Sequence, residues 1–398
     1  MSAWDVNAAT ALRAEVKEWL AAHWSSARPS RDFVDEVIDA GWACPHLDPE
    51  LWGLGLPLES IDVIAEEFAA AGAPMGSIDV TANRLIANVV NLFGTDRVAS
   101  RSIVRGLLDG RHRTCLLYSE PGAGSDLAAV QTRAERDHDE WVVNGQKVWS
   151  SLAAESTLGL LVARTDWDVP KHKGLTLFLL PMHQPGVDVR PIKQMTGRAT
   201  FNEVFLSDAR VSEGHRIGDL NGGWAVLQTA LTLERMAMGN GSVQDRDEGS
   251  ELVRTSVETL VAVARERGQN TNSDIRQDIA KLYALERVAQ WNGRRAEDPS
   301  DERAASVVKL AMSEILHGTA RLHSRLLGAE GMLAGADSPA ADHAHLAAMC
   351  AFENSIGGGS DQIQRNLIGE RILGLPREPS VDRDVPFRQV RKSAATWR

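Results

Sequence analysis

The strongest constraint on the fold is a change of hydrophobic period along the 398 residues. From Thr114 to about Val211, short leucine-rich or β-branched runs (Leu158 to Val162, Leu175 to Leu180, Glu203 to Leu206) are punctuated by Gly and Pro, which is the texture of strands. On both sides of this block, apolar residues recur every three or four positions instead. Leu12, Val16, Leu20 and Ala21 mark one face of a helix between Ala8 and Trp24, and Ser60 to Ala71 and Val98 to Leu108 repeat that character. After Asn221-Gly222-Gly223 the helical period returns over Trp224 to Gly239, Gly249 to Arg267, Ser273 to Arg294, Asp301 to Leu327 and Asp361 to Leu373, where Gly374 and Pro376 end it. The chain therefore reads as an α+β protein of three domains: helical over 1–113, β over 114–220 and helical over 221–398.

Two segments of the β block carry chemistry. Tyr118-Ser119-Glu120-Pro121-Gly122-Ala123-Gly124-Ser125-Asp126 is a polar turn: Pro121 presets φ, Gly122 and Gly124 permit positive φ, and Ser119, Ser125 and Asp126 can bond nearby backbone. Downstream, Trp141-Val142-Val143 reads as a strand, Asn144-Gly145 as a two-residue hairpin turn, and Gln146-Lys147-Val148-Trp149 as the return strand leading to Ser150-Ser151. Together these segments resemble the flavin-binding middle domain of the acyl-CoA dehydrogenase family, whose pattern is Thr/Ser-Glu-Pro-x-Ala-Gly-Ser-Asp followed by Asn-Gly-x-Lys-x-Trp-Ile-Thr/Ser. The α, β, α order is that family's architecture, so the resemblance spans nearly the whole chain. It implies an N-terminal helical domain, a middle β-barrel or sandwich and a C-terminal four-helix bundle.

The resemblance also implies roles for particular residues. Tyr118, Ser119, Gly124 and Ser125 would line FAD, Trp149 would pack against the flavin ring and Ser151 would bond near its N5. Outside this motif, Trp149 would read as an ordinary aromatic on a sheet face. In the family the segment around Ser360 and Gln362 reaches flavin bound by another subunit, which makes these two further FAD contacts by this matching. Arg267 and Gln277 fall near an arginine and a glutamine of the family pattern, although an ordinary helix-surface role fits those two equally well.

A dehydrogenase of this kind needs a base for the proton α to a thioester. In many members that base is the glutamate of a C-terminal Tyr-Glu-Gly-Thr-x-Gln-Ile-Gln-Arg motif, but this chain has Gly357-Gly358-Gly359-Ser360-Asp361-Gln362-Ile363-Gln364-Arg365, with Gly358 at the glutamate position. A carboxylate occurs elsewhere. Leu227, Ala230, Leu231, Glu234 and Met238 follow the stripe of a buried helix face, which places Glu234 among apolar neighbours with a raised pKa expected. Taken alone, Glu234 could equally be a buried residue paired with Arg235 or with a neighbouring helix. Glu234-Arg235 matches a subset of the family, including isovaleryl-, long-chain and bacterial steroid-side-chain enzymes, that carries its base on this helix just before an arginine. The resemblance thus assigns Glu234 as base, Arg235 to the substrate, and the Gly358 N–H to the thioester oxygen.

Composition removes other classes. A net charge of -11 without a basic block disfavours nucleic acid, and no apolar run is long enough to cross a membrane. Three scattered cysteines and the absence of a targeting segment suit a reduced cytoplasmic protein. Asp342-His343 with His345 has no third ligand nearby, so no metal is expected. Gly122-Ala123-Gly124-Ser125-Asp126-Leu127 lacks the third glycine of a dinucleotide fingerprint.

The expected activity is FAD-dependent α,β-dehydrogenation of an acyl-CoA, with electrons passed to an electron-transferring flavoprotein. The expected assembly is a homo- or heterotetramer, or a dimer. The missing glutamate at Gly358 keeps open a catalytically silent subunit beside an active partner, and the same scaffold could serve a flavin oxidase or monooxygenase.

Overall fold

The computed structural model describes residues 6–75, 81–239, 255–296, 304–335, 338–377, 379 and 382–390. They fall into two compact units, Met1–Ile192 with Phe201–Ala230 and Asp382–Arg398, and Lys193–Thr200 with Leu231–Val381.

The first unit opens with helices α1 (Val6–His23), α2 (Ser30–Asp39), α3 (Ser60–Ala71), α4 (Thr81–Phe93) and α5 (Arg97–Leu108). Their boundaries follow local chemistry. The Asp96 carboxylate accepts the first free amides of α5, from Val98 at 2.9 Å and Ala99 at 3.0 Å, and Gly72 ends α3 in the left-handed conformation. Leu12, Val16 and Leu20 are buried as their spacing predicts, and Phe33 of α2 and Phe68 of α3 pack with Trp19 of α1.

An eight-stranded sheet follows: β1 (Thr114–Leu117), β2 (Arg133–Asp137), β3 (Glu140–Ser151), β4 (Leu158–Arg164), β5 (Leu175–Pro181), β6 (Val187–Ile192), β7 (Phe201–Ser212) and β8 (Arg216–Ile217). The strand order is β6-β7-β3-β2-β4-β5-β8, with β1 pairing β4 in parallel. Every residue of β4 is buried, which is why it reads as a continuous apolar run and not an alternating one.

One sequence expectation is corrected. Asn144-Gly145 is not a hairpin turn, because β3 runs unbroken from Glu140 to Ser151 and the chain reverses before it, between β2 and β3, where His138 has φ 56°. Asn144 instead bridges to β7 at a register shift. Its amide donates to Asp208 Oδ1 at 3.0 Å and its carbonyl oxygen accepts from Asp208 N at 3.0 Å. Gly145 is required by close approach, since a Cβ there would lie 2.4 Å from Thr132 Oγ1 and 2.7 Å from Thr132 Cα.

Helix α6 (Gly223–Gly239) begins within the first unit's residues and ends within the second's. The second unit contains α7 (Val257–Glu266), α8 (Ser273–Ala296), α9 (Ala304–Leu327), α10 (Pro339–Ile356) and α11 (Asp361–Leu367), which passes into one π turn at Ile368–Ile372. Val257, Leu260, Ile275, Leu282, Leu322 and Leu326 form its core. Residues 249–254 and 301–303 of the expected helices lie outside the described residues. Among the described residues no helix is long and apolar enough to cross a membrane.

Candidate functional site

In the first unit, the polar loop after β1 is fastened to β3 from beneath. Val148 N donates to Ser119 O at 2.9 Å, and Glu120 and Ala123 exchange backbone hydrogen bonds of 3.1 and 3.0 Å to close the turn. Glu120, 8% exposed, accepts Lys147 Nζ at 2.8 Å and the amides of Gln131 and Thr132 at 2.7 and 2.8 Å. Lys147, fully buried, also donates to Tyr118 O at 3.1 Å. Burial opposes the charge on Glu120, but the Lys147 ammonium and these donors outweigh it and hold the carboxyl below its ordinary range. The Glu of the first motif and the Lys of the second are thus each other's partners, a link the sequence reading missed.

Above this staple the loop is open. Gly124, Ser125 and Ser151 are exposed and Ser119 is half-buried, while Tyr118 is buried at 6% exposure. A side chain added at Gly124 would meet nothing within 4 Å. The register of β3 against β7 shifts between Lys147 and Ser150, and at that bulge Trp149 takes φ 62°. A bulky residue in that conformation costs of the order of 1–2 kcal/mol. The bulge turns the indole outward, where it is 57% exposed and packs edge-on against Phe201 at 6.1 Å.

On α6, Glu234 is half-buried within the second unit's residues; of its predicted stripe, Leu231 is half-buried, and Leu227 and Ala230, among the first unit's residues, are buried. Arg235 and Met238 lie on the same helix, but their side chains fall outside the described residues. Gly358 and Gly359, with φ 62° and 85°, carry the turn between α10 and α11. Gln364, fully buried, donates to Gly358 O at 3.0 Å, and a Cβ at Gly359 would lie 2.5 Å from Gln364 Nε2. Ser360 caps α11 by accepting from Ile363 N at 3.3 Å. Asp361 accepts Lys309 Nζ at 3.1 Å and the Ser313 hydroxyl at 2.7 Å, anchoring the turn to α9.

Gln362 and Gln277 are exposed, and Arg267 is tethered to Glu330 and to Leu327 O. Asp342 and His345 both serve the helix-entry loop, accepting Gly335 N at 2.8 Å and bonding Gly331 O at 2.7 Å respectively. No group of three metal-ligating side chains occurs among the described residues.

Comparison with known proteins decides the family. Models of the N-terminal, middle and C-terminal domains of acyl-CoA dehydrogenases match residues 5–109, 115–209 and 221–373. The chain belongs to the acyl-CoA dehydrogenase family. This acyl-CoA dehydrogenase is 36% identical to the acyl-CoA dehydrogenase IpdE1 of Mycobacterium tuberculosis over 391 residues, covering 92% of the chain and 98% of that protein. It is 26% identical to the human mitochondrial short-chain specific acyl-CoA dehydrogenase, covering 85% of the chain and 82% of that protein. Among solved structures, the Tcur3481-Tcur3483 steroid acyl-CoA dehydrogenase matches with TM-score 0.69 at 26% identity, over 95% of this chain and all of that one. The ChsE4-ChsE5 complex of Mycobacterium tuberculosis matches with TM-score 0.68 at 26% identity over the same shares.

The acyl-CoA dehydrogenase is an FAD-dependent oxidoreductase of acyl-CoA thioesters, and its own residues suit the cofactor. An indole held outward on β3 at a backbone cost, exposed hydroxyls at Ser125 and Ser151, and a glycine at 124 with open space around it, on a loop fastened to the same strand, offer groups that can approach a planar ring and a pyrophosphate.

Proposed function

We propose that this acyl-CoA dehydrogenase converts an acyl-CoA to its trans-2-enoyl-CoA with Glu234 as the base. Supplied by the bound FAD is a hydride acceptor for the β-hydrogen. Glu234 takes the proton from the α-carbon, from a half-buried place on α6 beside the buried Leu227 and Ala230. The Gly358 N–H polarises the thioester oxygen, favouring enolate character as the proton leaves. Arg235 helps position the substrate or its coenzyme A portion. Tyr118, Ser119, Gly124, Ser125, Trp149 and Ser151 hold FAD, Ser360 and Gln362 contact FAD held by another subunit, and an electron-transferring flavoprotein collects the electrons.

The observation that carries this reading is the pairing of a carboxylate at Glu234 with a positive-φ glycine at Gly358, the position of the family's alternative base. Such a turn presents backbone and no side-chain carboxylate.

The acyl group we assign is bulky and ring-bearing. One similar solved structure is that of a steroid acyl-CoA dehydrogenase, and in this chain Gly358 puts no side chain at the position of the family's alternative base. Anaerobic bleaching of flavin absorbance by straight, branched and steroid-derived acyl-CoAs tests this assignment. Preference for a short straight chain would overturn it.

A second reading is a subunit that functions within a heteromeric enzyme, supported by the likeness to the ChsE4-ChsE5 complex. Purification of the chain alone separates the two: stoichiometric FAD that acyl-CoA bleaches supports the first, and absent or unbleached flavin supports the second.

A further inference from the structure

Behind the polar loop lies a buried cationic pair that the assigned chemistry does not use. Arg164, fully buried at the end of β4, donates to Val130 O at 3.1 Å, Ala128 O at 2.6 Å and Lys171 O at 3.2 Å. Its guanidinium therefore grips the residues that immediately follow the loop. Burial pulls its pKa down to about 10, with Glu120, Asp126 and Asp166 opposing, so it is charged at neutral pH. Lys171, also buried, bridges two carboxylates, Asp126 Oδ2 at 2.7 Å and Asp382 Oδ2 at 2.8 Å. Asp126 is the last residue of the loop motif; Asp382 lies 256 positions away in sequence, on a segment that folds back onto the sheet domain.

That segment is held at several points. Pro386 bridges Pro170, Phe387 N donates to Val169 O at 2.9 Å and Arg388 N to Trp167 O at 2.9 Å. The Arg388 side chain pairs with Asp168 at 2.7 Å. Phe387 is buried with its ring 3.6 Å from the Arg164 guanidinium carbon, so the segment supplies one face of the cation's enclosure.

We propose that residues 382–390 form a strap that positions the flavin loop, so that FAD binding and docking of the strap are coupled. Asp382 and Phe387 are positioning residues: Asp382 acts on Asp126 through Lys171, and Phe387 acts on Ala128 and Val130 through Arg164. With the strap undocked, Lys171 loses one of its two counter-ions and Arg164 gains contact with water. Both changes loosen the backbone from Asp126 to Val130. The proposal rests on the reading that the 118–126 loop holds FAD. Coupling between two sites is reciprocal, so FAD must tighten the strap by the same factor that the strap tightens FAD.

The test is FAD titration of the deflavinated full chain, followed by flavin fluorescence, for the wild type, the double variant Asp382→Asn with Phe387→Ala, and Gly124→Val. It is run with hydrogen exchange at the Phe387 and Arg388 amides of the wild type, with and without FAD. The double variant is expected to bind FAD at least tenfold more weakly, and those two amides are expected to exchange more slowly when FAD is present. Binding within twofold of wild type together with unchanged strap exchange would overturn the proposal, provided Gly124→Val loses FAD. If Gly124→Val binds FAD as the wild type does, the loop assignment itself fails, and the strap proposal falls with it. The exchange measurement needs no variant, so it decides the matter even if the double variant does not fold.

Discussion

Lys147 Nζ lies 2.8 Å from Glu120 Oε1 with both side chains buried, and this pair joins the two halves of the flavin motif. Removing one partner leaves the other as a buried, unmatched charge. Glu120→Gln is therefore expected to destabilise the protein by about 3–5 kcal/mol in denaturant unfolding. Because the folded pKa of Glu120 is depressed, its contribution is fully present above its unfolded value of about 4.3 and is lost as pH falls through the folded value. The stability gap between wild type and Glu120→Gln should accordingly narrow in the acid range below about pH 4. A gap of constant size there would mean that Glu120 is not ionised in the fold.

Trp149 holds its indole outward at φ 62°. Trp149→Gly relieves that backbone conformation, so unfolding of the apoprotein should require the same free energy or up to about 1 kcal/mol more. FAD affinity should fall sharply in the same variant. Stability gained with FAD binding intact would make the outward indole a surface accident.

Gly124 has neither a left-handed φ nor a neighbour within 4 Å of an added Cβ. Gly124→Val should fold with stability within about 0.5 kcal/mol of wild type. Purified protein should nonetheless be colourless if, as proposed, Gly124 lines the FAD site. Yellow protein with normal stability would move the flavin elsewhere.

Much of this was legible from local chemistry. Ser60–Ala71 matches its predicted span, and the Asp96 cap marks the start of α5 close to where the sequence suggested. Helix α10 was harder to see because its buried face, Ala341, Ala344, Ala347 and Ala351, is made of alanine, which gives little hydrophobic contrast. Asn144-Gly145 has the composition of a hairpin turn, and only tertiary contacts with Asp208 and Thr132 make it part of a strand. The bulge at Trp149 depends on register against β7, and the Asp382–Lys171–Asp126 bridge joins residues far apart in the chain. Neither has a local signature. The Lys147 partner has no signature in its own strand, where Gln146 and Val148 flank it; Glu120 lies 27 residues earlier in the chain.

Gly359 sits at φ 85°, and a methyl there would press on Gln364, which holds the Gly358 carbonyl. Gly359→Ala should cost about 1–3 kcal/mol of stability. On the proposed role of the Gly358 N–H toward the thioester oxygen, it should also lower kcat more than it raises KM. An unchanged kcat would remove the Gly358 turn from the chemistry.

The central claim of the proposed mechanism is that Glu234 acts as the base. The most direct test is anaerobic stopped-flow reduction of the bound flavin by a bulky acyl-CoA in wild type and Glu234→Gln. The variant should retain a full complement of FAD and bind the thioester. Its flavin should bleach slower by roughly 10²–10⁴-fold, the range lost with a general base. Bleaching within a few-fold of the wild-type rate would contradict the assignment and require a different base.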